Sequence, residues 1–301
     1  MCDDPDVSIV IVNWNRLDDL LRCIHYLRFQ KGVSFEIVVV DNGSSDGSAE
    51  RIREIPCVKF VGLESNVGPC AARNIGIDHA RGRYILFLDS DAVLSKQRLT
   101  RLVERMDQDP KIGVLACRIV NSVTRRIDQW IYSEPESHAH RHEFETYSFS
   151  AAGAFVRAQA LRDAGPFWEQ LFIYNEEVDL SIRVLRAGYR IVHFPKVRVY
   201  HSTSPNGRKG SGNYWMLQIR NWIWIFYRHY PSPLRFGKIG LYISIYIFKS
   251  MCDRHLKECV AGIVQGLSKT EIIERFPNKL TWAESRKIGA LNVRHRIKLG
   301  R

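Results

Sequence analysis

Five short runs rich in β-branched residues, Val7–Val12, Phe35–Val40, Val58–Gly62, Tyr84–Leu88 and Ile112–Val120, alternate with amphipathic stretches over the first 120 residues. That alternation is the signature of a sheet whose strands are joined by crossover helices. Between the runs, Leu17, Leu20, Leu21, Ile24 and Leu27 recur at helical spacing, and Ala71–Ala80 and Leu99–Met106 read the same way. Runs such as Ile37–Val40 are apolar on both pleat faces, which calls for helices on both sides of the sheet. The expected fold class is α/β, a doubly wound mixed sheet, with a ligand site at the carboxyl ends of the strands.

Those strand ends are polar. Asn13 and Asn15 follow the first run, Asp41 and Asn42 the second, Asn66 the third, and Asp89 and Asp91 the fourth. Asp-Asn-Gly-Ser-Ser-Asp at 41–46 is also a good turn and helix start, and that reading suits Asp46 and Ser48. For Asp41, directly after an apolar strand, turn and ligand contact both remain open. The run Tyr84-Ile-Leu-Phe-Leu-Asp-Ser-Asp91 delivers two carboxylates, one residue apart, where a buried strand emerges. Carboxylates held that close need a compensating cation, and oxygen ligands of this kind suit Mg²⁺ or Mn²⁺.

A second acidic cluster, Asn175-Glu176-Glu177-Val178-Asp179, opens a helix. Acids in a first turn complement the helix dipole, and Asp179 can pair with Arg183 four residues on. Two successive glutamates are less well explained in that way, because they face different directions. A carboxylate beside a donor site can act as a general base toward a hydroxyl acceptor.

Taken together, the motifs resemble a known family. The order Val7-Ser-Ile-Val-Ile-Val-Asn-Trp-Asn15, Ile37-Val-Val-Val-Asp41, Asn66-x-Gly68 with Ala72-Arg-Asn-x-Gly76, Leu86-Phe-Leu-Asp-Ser-Asp91, and Tyr174-Asn-Glu-Glu-Val-Asp-Leu-Ser-Ile-Arg183 is similar to the family 2 inverting glycosyltransferases of the GT-A (nucleotide-diphospho-sugar transferase) fold. The resemblance is strongest to rhamnosyltransferase-like members. It runs from about Val7 to Tyr230, including Arg220-Asn221 and the following Arg-His-Tyr-Pro. It implies a UDP- or dTDP-linked sugar donor and a glycan or lipid-linked acceptor, as in cell-surface polysaccharide synthesis. Asp41 and Arg73 would contact the nucleotide base, with Asn13 and Asn15 nearby and Asp89 and Ser90 beside the ribose. Asp91, with Asp89 and His201, would bind Mn²⁺ or Mg²⁺. Glu177 falls where relatives carry the catalytic Asp, so it is the candidate base, with Glu176 able to share the role. That longer side chain is a departure, and it keeps a catalytically silent nucleotide-sugar-binding protein as the alternative. Gly153 and Trp168 would lie on the acceptor side, Trp168 standing in a family Phe-Asp-Glu motif that reads Phe167-Trp168-Glu169 here.

The chain has 301 residues, of which 45% are hydrophobic and 25% charged, enough to bury a large core. Its net charge of +12 is uneven: residues 1–200 carry 26 basic and 27 acidic side chains, and residues 201–301 carry 18 and 5. The expected organisation is a catalytic domain over 1–205, with a nucleotide-binding half (about 1–120) and an acceptor half (about 121–205), followed by a mostly helical basic extension over 206–301. In that extension Trp215, Ile219, Trp222, Ile223 and Phe226 recur at helical spacing. They suit an anionic membrane surface, the catalytic domain or a twin subunit as partner. Nucleic acid is not expected, because it would be repelled by the strand-end acids.

His138, His140 and His142 are read as solvent-facing positions of a loop or edge strand rather than a metal tract. The seven scattered cysteines, without a Cys-x-x-Cys pair, favour reduced thiols. The acidic start, Met-Cys-Asp-Asp-Pro-Asp, is unlike a signal peptide, and Ile239–Phe248 is too short to span a bilayer. The expected location is cytoplasmic, peripheral on the inner face of the cell membrane.

Overall fold

The computed structural model describes residues 4–128, 130–132, 134–202, 212–268, 273 and 279–292. The expected domain boundary near residue 205 and the last basic residues, 293–301, lie outside the described residues.

Among the described residues nine strands form one mixed sheet: β1 (Val7–Asn13), β2 (Phe35–Asp41), β3 (Val58–Gly62), β4 (Tyr84–Asp89), β5 (Ala92–Leu94), β6 (Ile112–Asn121), β7 (Phe144–Thr146), β8 (Ala154–Arg157) and β9 (Arg190–His201). Their spatial order is β3-β2-β1-β4-β8-β6-β9-β5, with β7 also paired to β9. The β3-β2-β1-β4 block is parallel, as the crossover pattern predicts. β8 then enters antiparallel between β4 and β6, while β6 and β9 run parallel.

Successive residues of a strand face opposite ways, and here both faces are covered. Val7, Ile9 and Ile11 of β1 join one hydrophobic cluster with α1 (Leu17–Leu27), α2 (Ser48–Arg53) and α4 (Leu99–Asp107). Val10 belongs to the other face, with α3 (Gly68–Asp78), α5 (Ala158–Ala164) and α6 (Glu176–Arg186). Burying side chains of this kind contributes about 1.5–3 kcal/mol each.

β9 joins the two extended segments seen in the sequence into one strand. The register with β6 steps from Cys117↔Phe194 to Arg118↔Arg198, so Pro195 sits in an irregularity where it forfeits no ladder hydrogen bond. β5 is not foreshadowed by the sequence, since three residues carry no periodicity. β7, in the histidine-bearing stretch, pairs with β9 alone and is an edge strand.

Among the described residues four helices follow: α7 (Gly212–His229), α8 (Leu234–Cys252), α9 (Leu256–Ser268) and α10 (Trp282–Asn292). Of the three partners open to the α7 stripe (membrane, twin subunit or catalytic domain), the catalytic domain is the one it packs on. Trp215, Ile219, Ile223 and Phe226 are 0–5% exposed and join the same cluster as β1, α3 and α6. α7 therefore completes the cover of one sheet face, and α8 and α9 pack on α7. Among the described residues no helix is long and apolar enough to cross a membrane.

Candidate active site

The carboxyl ends of β1, β2 and β4 meet at one edge of the sheet. Asn13 and Asp41 are register partners, and Asn13 Nδ2 donates to Asp41 Oδ1 at 3.0 Å. Asp41 also accepts from Ser44 N and Ser44 Oγ at 2.9 and 2.7 Å, which rigidifies the turn after β2. Asn15, at a φ of 52°, accepts from Ser45 N at 2.7 Å and so ties the loop after β1 to that turn. Asp46 accepts from Leu17 N and Ser48 N, at 2.9 and 3.1 Å, at the starts of two helices. That is the structural role expected for it.

Asp89 ends β4, and Asp91 lies at the turn into β5. β5 pairs antiparallel with the end of β9, setting Ala92 opposite His201. This pairing carries His201 to the carboxylates: its Nε2 lies 3.1 Å from Asp91 Oδ1 and 3.9 Å from Asp89 Oδ2. One ligand atom from each of Asp89, Asp91 and His201 falls within 4.8 Å of the others. His201 Nδ1 lies 2.8 Å from Asp128 Oδ2, an arrangement that aims Nε2 at Asp91. With protein charges alone around it, Asp128, Asp91 and Asp89 outweigh burial and lift the His201 pKa to about 10, so a divalent cation bound there would take the place of the Nε2 proton. Two carboxylates and an imidazole steadied from behind make a fitting donor set for Mn²⁺ or Mg²⁺. Arg16 reaches the same place, with its guanidinium 3.2 Å from Asp91. Ser90, between the two acids, is buried.

Arg73, on α3, joins this cluster to the second one. It donates to Asp89 Oδ1 at 3.1 Å and to Glu176 Oε1 at 2.9 Å. Asp41, expected with Arg73 at the nucleotide base, is held by Asn13 and Ser44. The two glutamates consequently differ. Glu176 is buried and ion-paired with Arg73. Glu177 accepts from Ala151 N at 3.2 Å, and burial together with the Glu176 carboxylate pushes its pKa up to about 7.

The loop leading into α6 is unusual in backbone: Phe172, Tyr174 and Asn175 have φ of 63°, 75° and 63°. Left-handed conformations at three non-glycine residues within four positions need outside support. Asn221 of α7 supplies it, donating through Nδ2 to the carbonyls of Leu171, Ile173 and Tyr174 at 3.1, 2.9 and 2.8 Å. Arg220 adds a bond to Leu171 O at 2.9 Å. On the other side, Phe172 covers Gly68, where a Cβ would come within 2.5 Å of its ring. One turn into α6, Asp179 is fully buried and accepts from Arg183 and His229, both at 2.7 Å, with Arg228 at 3.3 Å. The Arg-Asn and Arg-His pairs of the sequence thus clamp the acidic helix from α7.

Gly153 and Trp168 are placed differently from an acceptor wall. Gly153 is buried, and a Cβ there would lie 2.6 Å from Ile119. Trp168 is 4% exposed beneath the Arg228 guanidinium, 4.1 Å from its ring centre. Both positions are filled by packing; it is Ala151, two residues from Gly153, that touches Glu177. His138 and His140 are engaged by Glu134 and Arg118, away from the carboxylates.

The sequence profile described as glycosyl transferase family 2 matches residues 8–163, just over half of the chain. The chain belongs to glycosyltransferase family 2. Succinoglycan biosynthesis protein ExoO of Rhizobium meliloti (strain 1021) is 43% identical to this chain over 105 residues, 34% of this chain and 30% of ExoO. The match thus spans under a third of that relative's own length. Glycosyltransferase AglE of Haloferax volcanii is 28% identical over 257 residues, 76% of this chain and 83% of AglE. In fold, the mannosyltransferase PcManGT of Pyrobaculum calidifontis, solved with GDP-Man and Mn²⁺, is similar at a TM-score of 0.60 and 18% identity, over 96% of this chain and 80% of that one. The mixed sheet of this chain has the GT-A fold, and a helical C-terminal portion follows it.

Arg16, Asp128 and Asn221 had not been singled out for roles at this site. Arg16 stands in a strand-end loop beside Asn15 and could have been flagged by position; Asp128, in an aperiodic stretch 73 residues from His201, carried no signal.

Proposed function

We propose that the protein transfers a sugar from a UDP- or dTDP-linked donor to a hydroxyl of a glycan or lipid-linked acceptor, with inversion, in cell-surface polysaccharide or glycoconjugate synthesis on the cytoplasmic side. One observation carries this reading. The Arg73 guanidinium bridges Asp89 of the metal-ligand cluster to Glu176, the neighbour of Glu177, so a candidate cation site and a candidate base are joined through one side chain.

Asp89, Asp91 and His201 would hold Mn²⁺ or Mg²⁺, which when bound neutralises charge developing on the departing nucleoside diphosphate. Glu177, with its pKa near neutrality, takes the proton from the acceptor hydroxyl as the oxygen attacks the anomeric carbon. The bond to the diphosphate breaks on the opposite face, and its electron pair leaves with the diphosphate. Glu176, committed to Arg73, does not compete for that proton. Asp41, Asn13 and Asn15 form the stiff turn against which the nucleoside rests.

The test is nucleotide release from a panel of UDP-, dTDP- and GDP-sugars with Mn²⁺ or EDTA, for the native chain and Glu177→Gln. Metal-dependent release of one nucleotide, lost in the variant, supports the reading. Binding without turnover, in the presence of candidate acceptors, would point to a silent nucleotide-sugar-binding protein. The anomeric configuration of the product, read by NMR, tests inversion.

A further inference from the structure

α8 and α9 form a hairpin laid against α7, and the faces they turn outward are apolar. On α9, Leu256, Val260, Val264 and Leu267 follow one another at helical spacing and are 38–59% exposed. The inward face of the same helix carries Cys259, Gly262 and Gly266. On α8, Leu241 and Phe248 are 43% and 62% exposed, and Met251 near its end is 57% exposed. Scattered exposed apolar residues are ordinary, but a stripe shared by two adjacent helices marks an interaction surface.

Charge selects the partner. Lys249, Arg254 and Lys257 are exposed around the turn between the helices, next to Phe248, Met251 and Leu256. Among the described residues none of the three is in a salt bridge; of the two acids beside them, Asp253 is exposed and Glu258 lies 3.7 Å from His255. The chain from residue 201 onward carries 18 basic against 5 acidic residues. A second copy of this surface would set like charge against like. An anionic bilayer offers negative headgroups to the cations and an acyl boundary to the stripe.

We propose that the outer face of the α8–α9 hairpin docks this protein on an anionic membrane surface. The hairpin is also linked through side chains to the loop that carries the candidate base. Tyr246, on the inner side of α8, donates to Gln218 Oε1 at 3.0 Å, and Asn175 Nδ2 donates to the same oxygen at 3.0 Å. Asn175 directly precedes Glu176 and Glu177. A bilayer against the outer side of α8 is therefore separated from the loop that carries the candidate base by the width of one helix, roughly 10 Å, and by the Gln218 side chain. Resting on the transfer reaction proposed above, this makes a membrane-borne acceptor the matching substrate class.

The experiment is cosedimentation of the full chain with vesicles of phosphatidylcholine alone or mixed with phosphatidylglycerol. Two variants are compared with the native chain: Phe248→Ser/Val260→Ser/Val264→Ser and Lys249→Glu/Arg254→Glu/Lys257→Glu. Circular dichroism and Mn²⁺-dependent nucleotide binding serve as folding controls. The native chain is expected on the anionic vesicles only, released by salt, and each variant is expected to bind at least about tenfold more weakly. Native protein that stays in solution overturns the proposal, as does undiminished binding by the charge-reversed variant, which alters no packed residue. Vesicle binding unchanged by the serine variant, with a dimer turned monomer in sedimentation, would make the face a subunit interface. Because the readout is binding, a chain that docks without releasing nucleotide refutes the transfer reading alone, and one that turns over without docking refutes this proposal alone.

Discussion

Glu176 and Glu177 are neighbours in the chain with opposite electrostatic surroundings. Arg73 neutralises the first, and the second, packed beside it, is driven toward its protonated form. Replacing Glu177 with Gln is expected to lower kcat by about 10²- to 10⁴-fold, the usual contribution of a positioned base, with little change in KM for the donor. A base must be deprotonated to act, so kcat in the native enzyme should fall as pH drops through about 7. A kcat–pH profile whose acid limb lies near 4 would contradict this assignment. Asp91→Asn is expected to abolish metal-dependent nucleotide binding by calorimetry while circular dichroism stays native. At this scale the residue types were legible in the sequence. Arg73 was recognisable from its motif, but its partners were not, because they sit 16 and 103 positions away.

Among the elements, α7 has the widest influence on the site. Its Asn221 side chain satisfies three carbonyls of a loop held in left-handed conformations, and no apolar residue can replace those donors. Asn221→Ala should destabilise the fold by about 1–3 kcal/mol in urea unfolding, the cost of leaving buried polar groups unpaired. A change within a few tenths of a kcal/mol would mean the loop keeps its shape unaided. α7 in turn depends on a close approach of α9, where a Cβ on Gly262 would lie 2.3 Å from Met216 O. Gly262→Ala must push the helices apart and should cost about 1–3 kcal/mol. The periodicity of α7 was plain in the sequence, and its amphipathic stripe was correctly located. Periodicity reports that a face will be buried and is silent on what buries it.

Across the whole molecule, the buried Asp179 couples the acidic helix to the C-terminal helices and should shape acid stability. Burial opposes its charge, but Arg183, His229 and Arg228 hold its pKa well below the ordinary 3.8. A carboxyl depressed in the folded state binds fewer protons than in the unfolded chain, so its stabilisation is present above about pH 4 and fades below it. His229 acts at higher pH: burial lowers its pKa below 6.5, so the unfolded chain takes up the proton first and stability declines as pH falls through that value. Urea midpoints for native and His229→Gln protein from pH 8 to 4 check this; the variant should lack the upper part of the decline.

The local code accounts for the strand–helix alternation, the double-sided burial of β1, β2 and β4, and the polar strand ends. Each of these follows from neighbours within a few residues, through pleat, helical period and turn chemistry. The strand order beyond β4, the arrival of His201 beside Asp91 through β5 pairing, and the inward turn of α7 depend on contacts between segments far apart in the chain. The same separation explains why Gly153 and Trp168 are packing residues and why Asn221 supports the acidic loop. A one-dimensional pattern records which side chains seek burial, a partner or a charge; which of the many available partners each one meets is settled when the sheet closes and its faces are covered.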